Sequence, residues 1–245
     1  MTRRRFIADT WTPTTATLTG DQAAHLARVL RATPGQIYDI VANGFLHRAE
    51  IVNVSEKEVL FTLHEELESG AALPLHLLLA VFKFDHMEWA IEKATELGIA
   101  RITPILARRT EKHLAQAALK RSERWRRIAL EASKQSRRTD IPEIADPAAL
   151  KPALEHELSP TRILLSETEQ ATTLTTALET ALRTTPSEAV SQEIALAIGP
   201  EGGWTPEEML LFTQHQWQPV TLGPRILRAE TAAIAAIAIA STHLT

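Results

Sequence analysis

Two glycine-containing turns near the C-terminus hold the residues best suited to chemistry: GPEGGWTPEE, Gly199 to Glu208, and LGPRILRAETAA, Leu222 to Ala233. Each follows a short apolar run that reads as a buried strand, Ile194 to Ile198 and Val220 to Leu222. In the first turn, Gly202-Gly203 admit φ values that other residues resist. Thr205 as N-cap, Pro206 at the first helical position and Glu208 three residues on form a capping box. The amides of this turn therefore face outward at a strand's C-terminal end, where ligands bind in open α/β sheets. In the second turn, Gly223-Pro224 bend the chain, and Arg225 and Arg228 flank Ile226-Leu227. Glu230 then falls in the first turn of a helix, where the helix dipole favours a carboxylate. Two such strand ends side by side make a small-molecule pocket with cationic side chains at its rim. The competing explanation is a pair of plain β–α connections, with Arg225 or Arg228 paired to Glu230 or Glu201.

Other chemistries lack their signatures. There is no G-x-G-x-x-G, no lysine after the glycines as a phosphate loop needs, no H-E-x-x-H and no serine nucleophile elbow. The chain has no cysteine, which excludes disulfides, thiolate catalysis and cysteine-ligated metals. Its nine histidines are scattered, so no metal site is expected. The basic start, MTRRRFIADTW, has no apolar stretch behind it and does not read as a secretory signal. The Ala-rich stretch Ala229 to Ala240 is too short to span a bilayer.

The elements that must position these turns follow from periodicity. With 245 residues, 44% apolar and 23% charged, the chain suits one large or two small globular domains. Residues 1–70 read as a small β-rich domain. Gln36 to Val41 and Phe45 to Val54 form a hairpin across Ala42-Asn43-Gly44. Val59, Phe61 and Leu63 alternate as a further strand. Its single helix starts at Asp21 as N-cap, buries Ala23, Leu26, Ala27 and Leu30, and leaves Arg28 and Arg31 outside the stripe. Glu65 to Pro74 reads as a linker.

From residue 74 to 245 strands and helices alternate, the pattern of an α/β domain with a mostly parallel sheet. Leu75 to Val81 is a strand buried on both faces. The next helix is expected to start at Asp85 with Glu88 in a capping box, to bury Met87, Ala90, Ile91, Ala94 and Leu97, and to stop at Gly98. Ile99 to Ile105 and Ile163 to Leu165 are further strands. A basic helix runs from about Ala115 to Ala132, with Trp125, Ile128, Ala129 and Ala132 inward, and Lys134 to Arg138 leaving as a loop. Leu174 to Ser187 reads as a surface helix plus loop. The last helix, through Ile234, Ile237 and Ile239, is expected to be buried nearly all round.

Charge is uneven. Residues 1–138 hold 21 Lys/Arg against 16 Asp/Glu, whereas residues 139–245 hold 5 against 14. This split favours a polyanion partner for the first part, although a solvated charged surface explains it too. Lys120 to Arg138, with Arg108 and Arg109, forms a candidate phosphate-contacting surface.

GPEGG and LGPRILRAETA together resemble the RsmE family of small-subunit ribosomal RNA uridine methyltransferases, in the SPOUT superfamily. His25-x-x-Arg28-Val29-Leu30-Arg31, Met87-Glu88-Trp89 with Lys93 to Gly98, and Gln135-Ser136-x-Arg138 with Pro142 match the family in the same order. The resemblance covers nearly the whole chain. It implies a PUA-like β-barrel RNA-binding domain over 1–70 and a SPOUT α/β domain over 74–245 with a C-terminal trefoil knot. It also implies S-adenosyl-L-methionine as methyl donor, a cytoplasmic homodimer with its active site near the subunit interface, and no membrane partner. The family's product is 3-methyluridine in the 16S RNA of the small subunit, either free or in assembled particles.

By this resemblance Leu164, Leu165, Ser166, Glu167, Ile198, Gly199, Pro200, Glu201, Gly202, Gly203, Leu222, Gly223, Ile226, Leu227, Arg228 and Thr231 hold the donor. Arg228, Glu230 and Arg138 are the catalytic candidates. Arg3, Arg4, Arg5, Arg28, Arg31, Lys83, Arg108, Arg109, Arg137 and Arg138 would contact RNA. The chain departs from the family pattern at three places. Arg137 replaces a usual glycine, Lys134 a usual acid, and His86 the usual basic residue before Met87. Another SPOUT activity, such as ribose 2′-O methylation of tRNA, and a non-catalytic RNA-binding relic are the alternatives.

Overall fold

The computed structural model describes residues 5–67, 72–184 and 193–244. It divides into two compact units: the chain up to Ala71 together with Ser133–Asp140, and Ala72–Ala132 together with Ile141–Thr245. Arg3, Arg4 and the end of the 174–187 segment lie outside the described residues. Among those described, no helix is long and apolar enough to cross a membrane.

In the first unit, strands β1 (Arg5–Ile7), β2 (Thr10–Trp11), β3 (Thr15–Thr19), β4 (Ile37–Ala42), β5 (Phe45–Val54) and β6 (Glu58–Leu67) form one sheet in the order β1-β4-β5-β6-β3-β2. Strands β4 and β5 join across Asn43-Gly44, which take φ of 52° and 79°. A two-residue hairpin turn needs those positive values, and Asn-Gly supplies them at the least strain. Leu18, Leu26, Ile40, Ile51 and Phe61 fill the core. Helix α1 starts at Gly20 rather than at an Asp21 cap: Thr19 occupies the N-cap and makes no side-chain cap bond. It covers Gly20–Ala24 and continues as a π-helical turn, His25–Val29. Arg28 lies on its exposed side and pairs with Glu56, and exposed Arg31 lies just past its end with φ of 48°.

In the second unit, strands β7 (Leu73–Ala80), β8 (Ile99–Leu106), β9 (Glu143–Ile144), β10 (Ala148–Ala149), β11 (Thr161–Leu165), β12 (Ile194–Ile198) and β13 (Gln218–Val220) form a sheet in which every pairing is parallel. Its order is β10-β8-β7-β12-β11-β13, with β9 beside β8. Helices α2 (Phe84–Glu96), α3 (Lys112–Ser136), α4 (Leu150–Glu155), α5 (Leu174–Thr184), α6 (Pro206–Gln214) and α7 (Ala229–Leu244) alternate with the strands. Side chains on a strand alternate between faces, and here both faces are covered. Leu75, Leu77, Leu79, Leu196 and Ile198 pack with residues of α2, α3, α5 and α7. Leu78, Ala80, Ala195, Ala197 and Leu164 pack with residues of α4 and α6. The continuous apolar runs are thus strands buried on both sides.

Several helix ends differ from the sequence reading. Helix α2 begins at Phe84 with Lys83 in the N-cap position, so Asp85 is a first-turn residue and makes no cap. Glu88 is drawn instead to Arg124 at 2.7 Å and Arg121 at 3.5 Å. Strand β13 stops at Val220, two residues early, because the Thr221 side chain turns the chain by bonding Gly223. Helix α7 buries Ala229, Ala233, Ala236, Ile237 and Ala240, but leaves Ile234, Ala235, Ala238 and Ile239 only half-buried. It is not enclosed all round.

Lys134 to Ser136 belong to α3 rather than to a loop. The helix stops at Arg137, which takes φ of 61°. The Arg137 amide donates to the Lys134 carbonyl at 3.3 Å and the Arg138 amide to the Ser133 carbonyl at 3.0 Å. This is the Schellman closure, whose left-handed residue is ordinarily glycine. Arg137 keeps the glycine-type conformation, and Arg5 donates to its carbonyl. An L-residue there costs about 1 kcal/mol relative to glycine. Arg137→Gly should therefore raise the melting temperature by about 2–4 °C, read by calorimetry.

A second buried polar group lies within the α/β unit. His76 on β7 bonds Glu157 through Nδ1 and Thr103 of β8 through Nε2, the latter at 2.8 Å. Burial by itself would raise the Glu157 carboxyl, but bonds from His76 and Ser159 outweigh it and hold the pKa at about 2, against an ordinary 4.5. Because the folded value is depressed, the stabilisation is complete above about pH 4.5 and is lost as pH falls through 2. Glu157→Gln should destabilise by about 3 kcal/mol near pH 6 and by progressively less below pH 4.5, as measured by urea unfolding at several pH values.

Candidate active site

Strands β12, β11 and β13 lie side by side, so three chain exits open at one edge of the sheet. The first exit is the turn after Ile198. The Gly203 amide donates to the Pro200 carbonyl at 2.8 Å, with Gly203 at φ 67°. The expected capping box is present: the Glu208 amide donates to Thr205 Oγ1 at 3.3 Å, and the Thr205 amide to Glu208 Oε2 at 2.8 Å. Glu208 is buried, and its other oxygen accepts from the Arg108 amide at 2.7 Å.

Small residues are required in this turn. A Cβ at position 199 would lie 3.1 Å from the Trp204 indole nitrogen, and one at 203 would lie 3.0 Å from a Glu167 carboxylate oxygen. The second exit, after Val220, bends at Gly223, whose φ is 116°. The third, after Leu165, is tied to its neighbour by the Ser166 amide, which donates to the Val220 carbonyl at 3.0 Å. Its Glu169 accepts from the amides of Thr172 and Ala171, and these bonds hold that carboxyl below its usual range.

The three exits enclose a cavity of about 850 Å³. That is the size of a site for a nucleoside-sized ligand. Its wall combines apolar Leu165, Leu222, Ile226 and Leu227 with backbone of the two glycine turns, three acids (Glu167, Glu169, Glu201) and two arginines (Arg225, Arg228). Opposite charges around one cavity suit a zwitterionic or cationic ligand and an anionic partner at the rim.

A profile of RNA methyltransferase domains matches residues 69–241, and one of RNA methyltransferase PUA domains matches residues 18–63. A ribosomal RNA small subunit methyltransferase E from Synechocystis sp. is 36% identical over 228 residues, spanning 91% of this chain and 72% of that protein. Its counterpart from Bacillus subtilis is 31% identical over 231 residues, 93% and 90% of the two chains. The chain belongs to the ribosomal RNA small subunit methyltransferase E family.

Two solved structures extend the likeness over the whole fold. The Neisseria gonorrhoeae ribosomal RNA small subunit methyltransferase E, bound to S-adenosyl methionine, superposes with a TM-score of 0.79 at 27% identity, covering 98% of both chains. A methyltransferase from Legionella pneumophila with bound S-adenosylmethionine gives 0.79 at 29%, covering 99% and 98%. The α/β methyltransferase fold preceded by a PUA domain is thus common to these proteins and this chain.

Of the sixteen residues expected to hold the donor, all but Leu164, Gly202 and Thr231 line the cavity. Leu164 is buried in the opposite core. Gly202 turns its carbonyl toward Arg109, and Thr231 is exposed on α7. The sequence reading missed Thr168 to Gln170, Thr173, Trp204, Met209 and Ala232, which also line it. Thr168 to Gln170 could have been found by extending the strand-end rule past Leu165; Met209 and Ala232 reach the cavity only through helix packing.

The catalytic candidates separate. Arg228 lines the cavity, is exposed, and like Arg225 forms no ion pair with Glu230 or Glu201 among the described residues. The plain pairing that competed with a ligand-facing role is absent there. Glu230 is buried and pairs with His86 Nδ1 at 3.0 Å, so it anchors α7 to α2 and does not orient Arg228. Arg138 belongs to the first unit, where it is paired with Asp140. Among the expected RNA contacts, Arg31, Lys83, Arg108 and Arg137 are exposed. Arg5 is bonded to the Arg137 carbonyl, Arg28 to Glu56 and Arg109 to the Gly202 and Trp204 carbonyls.

Proposed function

We propose that this chain transfers a methyl group from S-adenosyl-L-methionine to N3 of a uridine in 16S ribosomal RNA of the small subunit. The observation that carries this reading is the cavity at three adjacent parallel-strand ends, with Arg225 and Arg228 at its wall and no carboxylate paired to them among the described residues. The donor suits the residues present. Apolar Leu165, Leu222, Ile226 and Leu227 suit an adenine ring, close-approaching glycine backbone suits its polar edge, and the carboxylates of Glu167, Glu169 and Glu201 suit cationic groups. Bound there, S-adenosylmethionine supplies an electrophilic methyl group on a sulfonium.

The chain's own residues have two further tasks. Uridine N3 carries a proton at neutral pH, so the nucleophile forms only as that proton passes to solvent water and negative charge develops on the base. Arg228 stabilises that charge from the cavity wall. Arg138 is the second candidate and must exchange Asp140 for the base. Glu230, held by His86, fixes the start of α7. Exposed Arg31, Lys83, Arg108 and Arg137 contact phosphates and bring the splayed nucleotide to the site.

The C-terminal segment forms the trefoil knot of the SPOUT fold, and the half-buried apolar side of α7 meets a second copy in a cytoplasmic homodimer. The sites of the two subunits work without a membrane partner.

Small subunits lacking the mark, incubated with the protein and donor and digested to nucleosides, should yield 3-methyluridine by mass spectrometry. Arg228→Ala should slow its formation by about 10²–10³ while unfolding at the same temperature. Near-normal turnover by that variant would refute the role of Arg228. A 2′-O-methylated nucleoside would assign another activity to the fold, and RNA binding with no methylation would mark a relic.

A further inference from the structure

The sequence reading assigned Arg109 to RNA, but its hydrogen bonds lead elsewhere. Its Nη1 donates to the Gly202 carbonyl at 2.5 Å and to the Trp204 carbonyl at 3.3 Å. Its stem runs along Gly202, where a Cβ would lie 3.3 Å from Arg109 Cδ. Arg109 acts on the Glu207 carboxylate only through space, and its charge-assisted hydrogen bonds go to these two carbonyls.

The Gly202 carbonyl and the Gly203 amide belong to one planar peptide unit, so fixing either group orients both. Arg109 holds the carbonyl, and the Pro200 carbonyl accepts from the amide at 2.8 Å on the other side. The peptide lies between two glycines, where no Cβ opposes rotation of the plane. Such a unit flips easily unless something outside the turn restrains it. The segment carrying Arg109 is itself fixed. The Arg108 amide donates to Glu208, the Thr110 hydroxyl donates to the Val81 carbonyl at 2.8 Å, and the Thr110 amide donates to the Ala107 carbonyl at 3.1 Å. Gly199 to Glu201, just before this peptide, line the cavity.

We infer that Arg109 is a positioning residue: it locks the Gly202–Gly203 peptide and so preorganises the donor turn, and it is not an RNA contact. This rests on the proposed donor site. Preorganisation of this kind appears as ligand affinity, because a turn that must be ordered on binding subtracts from it.

The test is calorimetric titration of S-adenosylmethionine into the full chain and its R109M variant, which keeps the stem and removes the donors. R109L takes its place if R109M does not fold. The expected result is an affinity about tenfold weaker, restored to within about threefold by R109K, which supplies N–H donors again. The slope of log affinity for single-stranded RNA against log salt should stay unchanged, whereas each lost phosphate contact would reduce it by about 0.7. Equal donor affinity in the folded variant, or a slope reduced by one contact, would overturn the lock. An unaltered protein that binds no donor would instead overturn the proposed function and is distinguished by that control.

Discussion

The parallel pairing of β11 with both β12 and β13 is the constraint on which the site depends. Parallel neighbours release their chains at the same edge, so three loops distant in sequence converge without any contact between their side chains being needed. The bond from the Ser166 amide to the Val220 carbonyl carries this pairing one step beyond the strands. Because both sheet faces are filled by helices, the strand edge is the place where polar backbone can face a ligand. Nearby glycines let that backbone come close: at 199 and 203, even one added carbon would meet Trp204 or Glu167.

Around that edge, charge is arranged by long-range pairing more than by composition. The excess of Lys and Arg in the first 138 residues reads as a surface for a polyanion partner. In the structure much of it is already partnered. Arg28 meets Glu56, Arg124 meets Glu88, and Arg126 meets both Glu123 and Asp146. Exposed pairs of this kind contribute little stability and exchange readily for phosphate. Arg5 and Arg109 are different, because they hold backbone carbonyls whose loss would free a turn. Arg225 and Arg228 are different again, since they face the cavity without a carboxylate partner among the described residues.

Local chemistry was legible in the sequence where a single segment decides it. The Asn43-Gly44 turn, the Thr205–Glu208 box and the strand Ile194–Ile198 all stand where they were expected. Pro206 fixes the start of α6, which is why that cap could be placed. At Asp21 and Asp85 no proline intervenes, and the N-caps fall two residues earlier, at Thr19 and Lys83, so the expected cap becomes a first-turn acid. The cavity wall past Glu167 was less legible, because Thr168 to Gln170 carry no motif. The bonds of Arg109 to the Gly202 and Trp204 carbonyls were not legible, because those partners lie more than ninety positions away in the sequence. Arg137 shows the reverse case: a glycine-type backbone position persists under a residue that gives no sign of it.

Amide hydrogen exchange of the folded chain, with and without saturating S-adenosylmethionine, tests the central claim most directly. If the three strand exits cage the donor, slowing should concentrate in the segments just after Leu165, Ile198 and Val220 and leave the first unit's sheet unchanged. No slowing at these three exits, or slowing confined to another part of the molecule, would contradict the account.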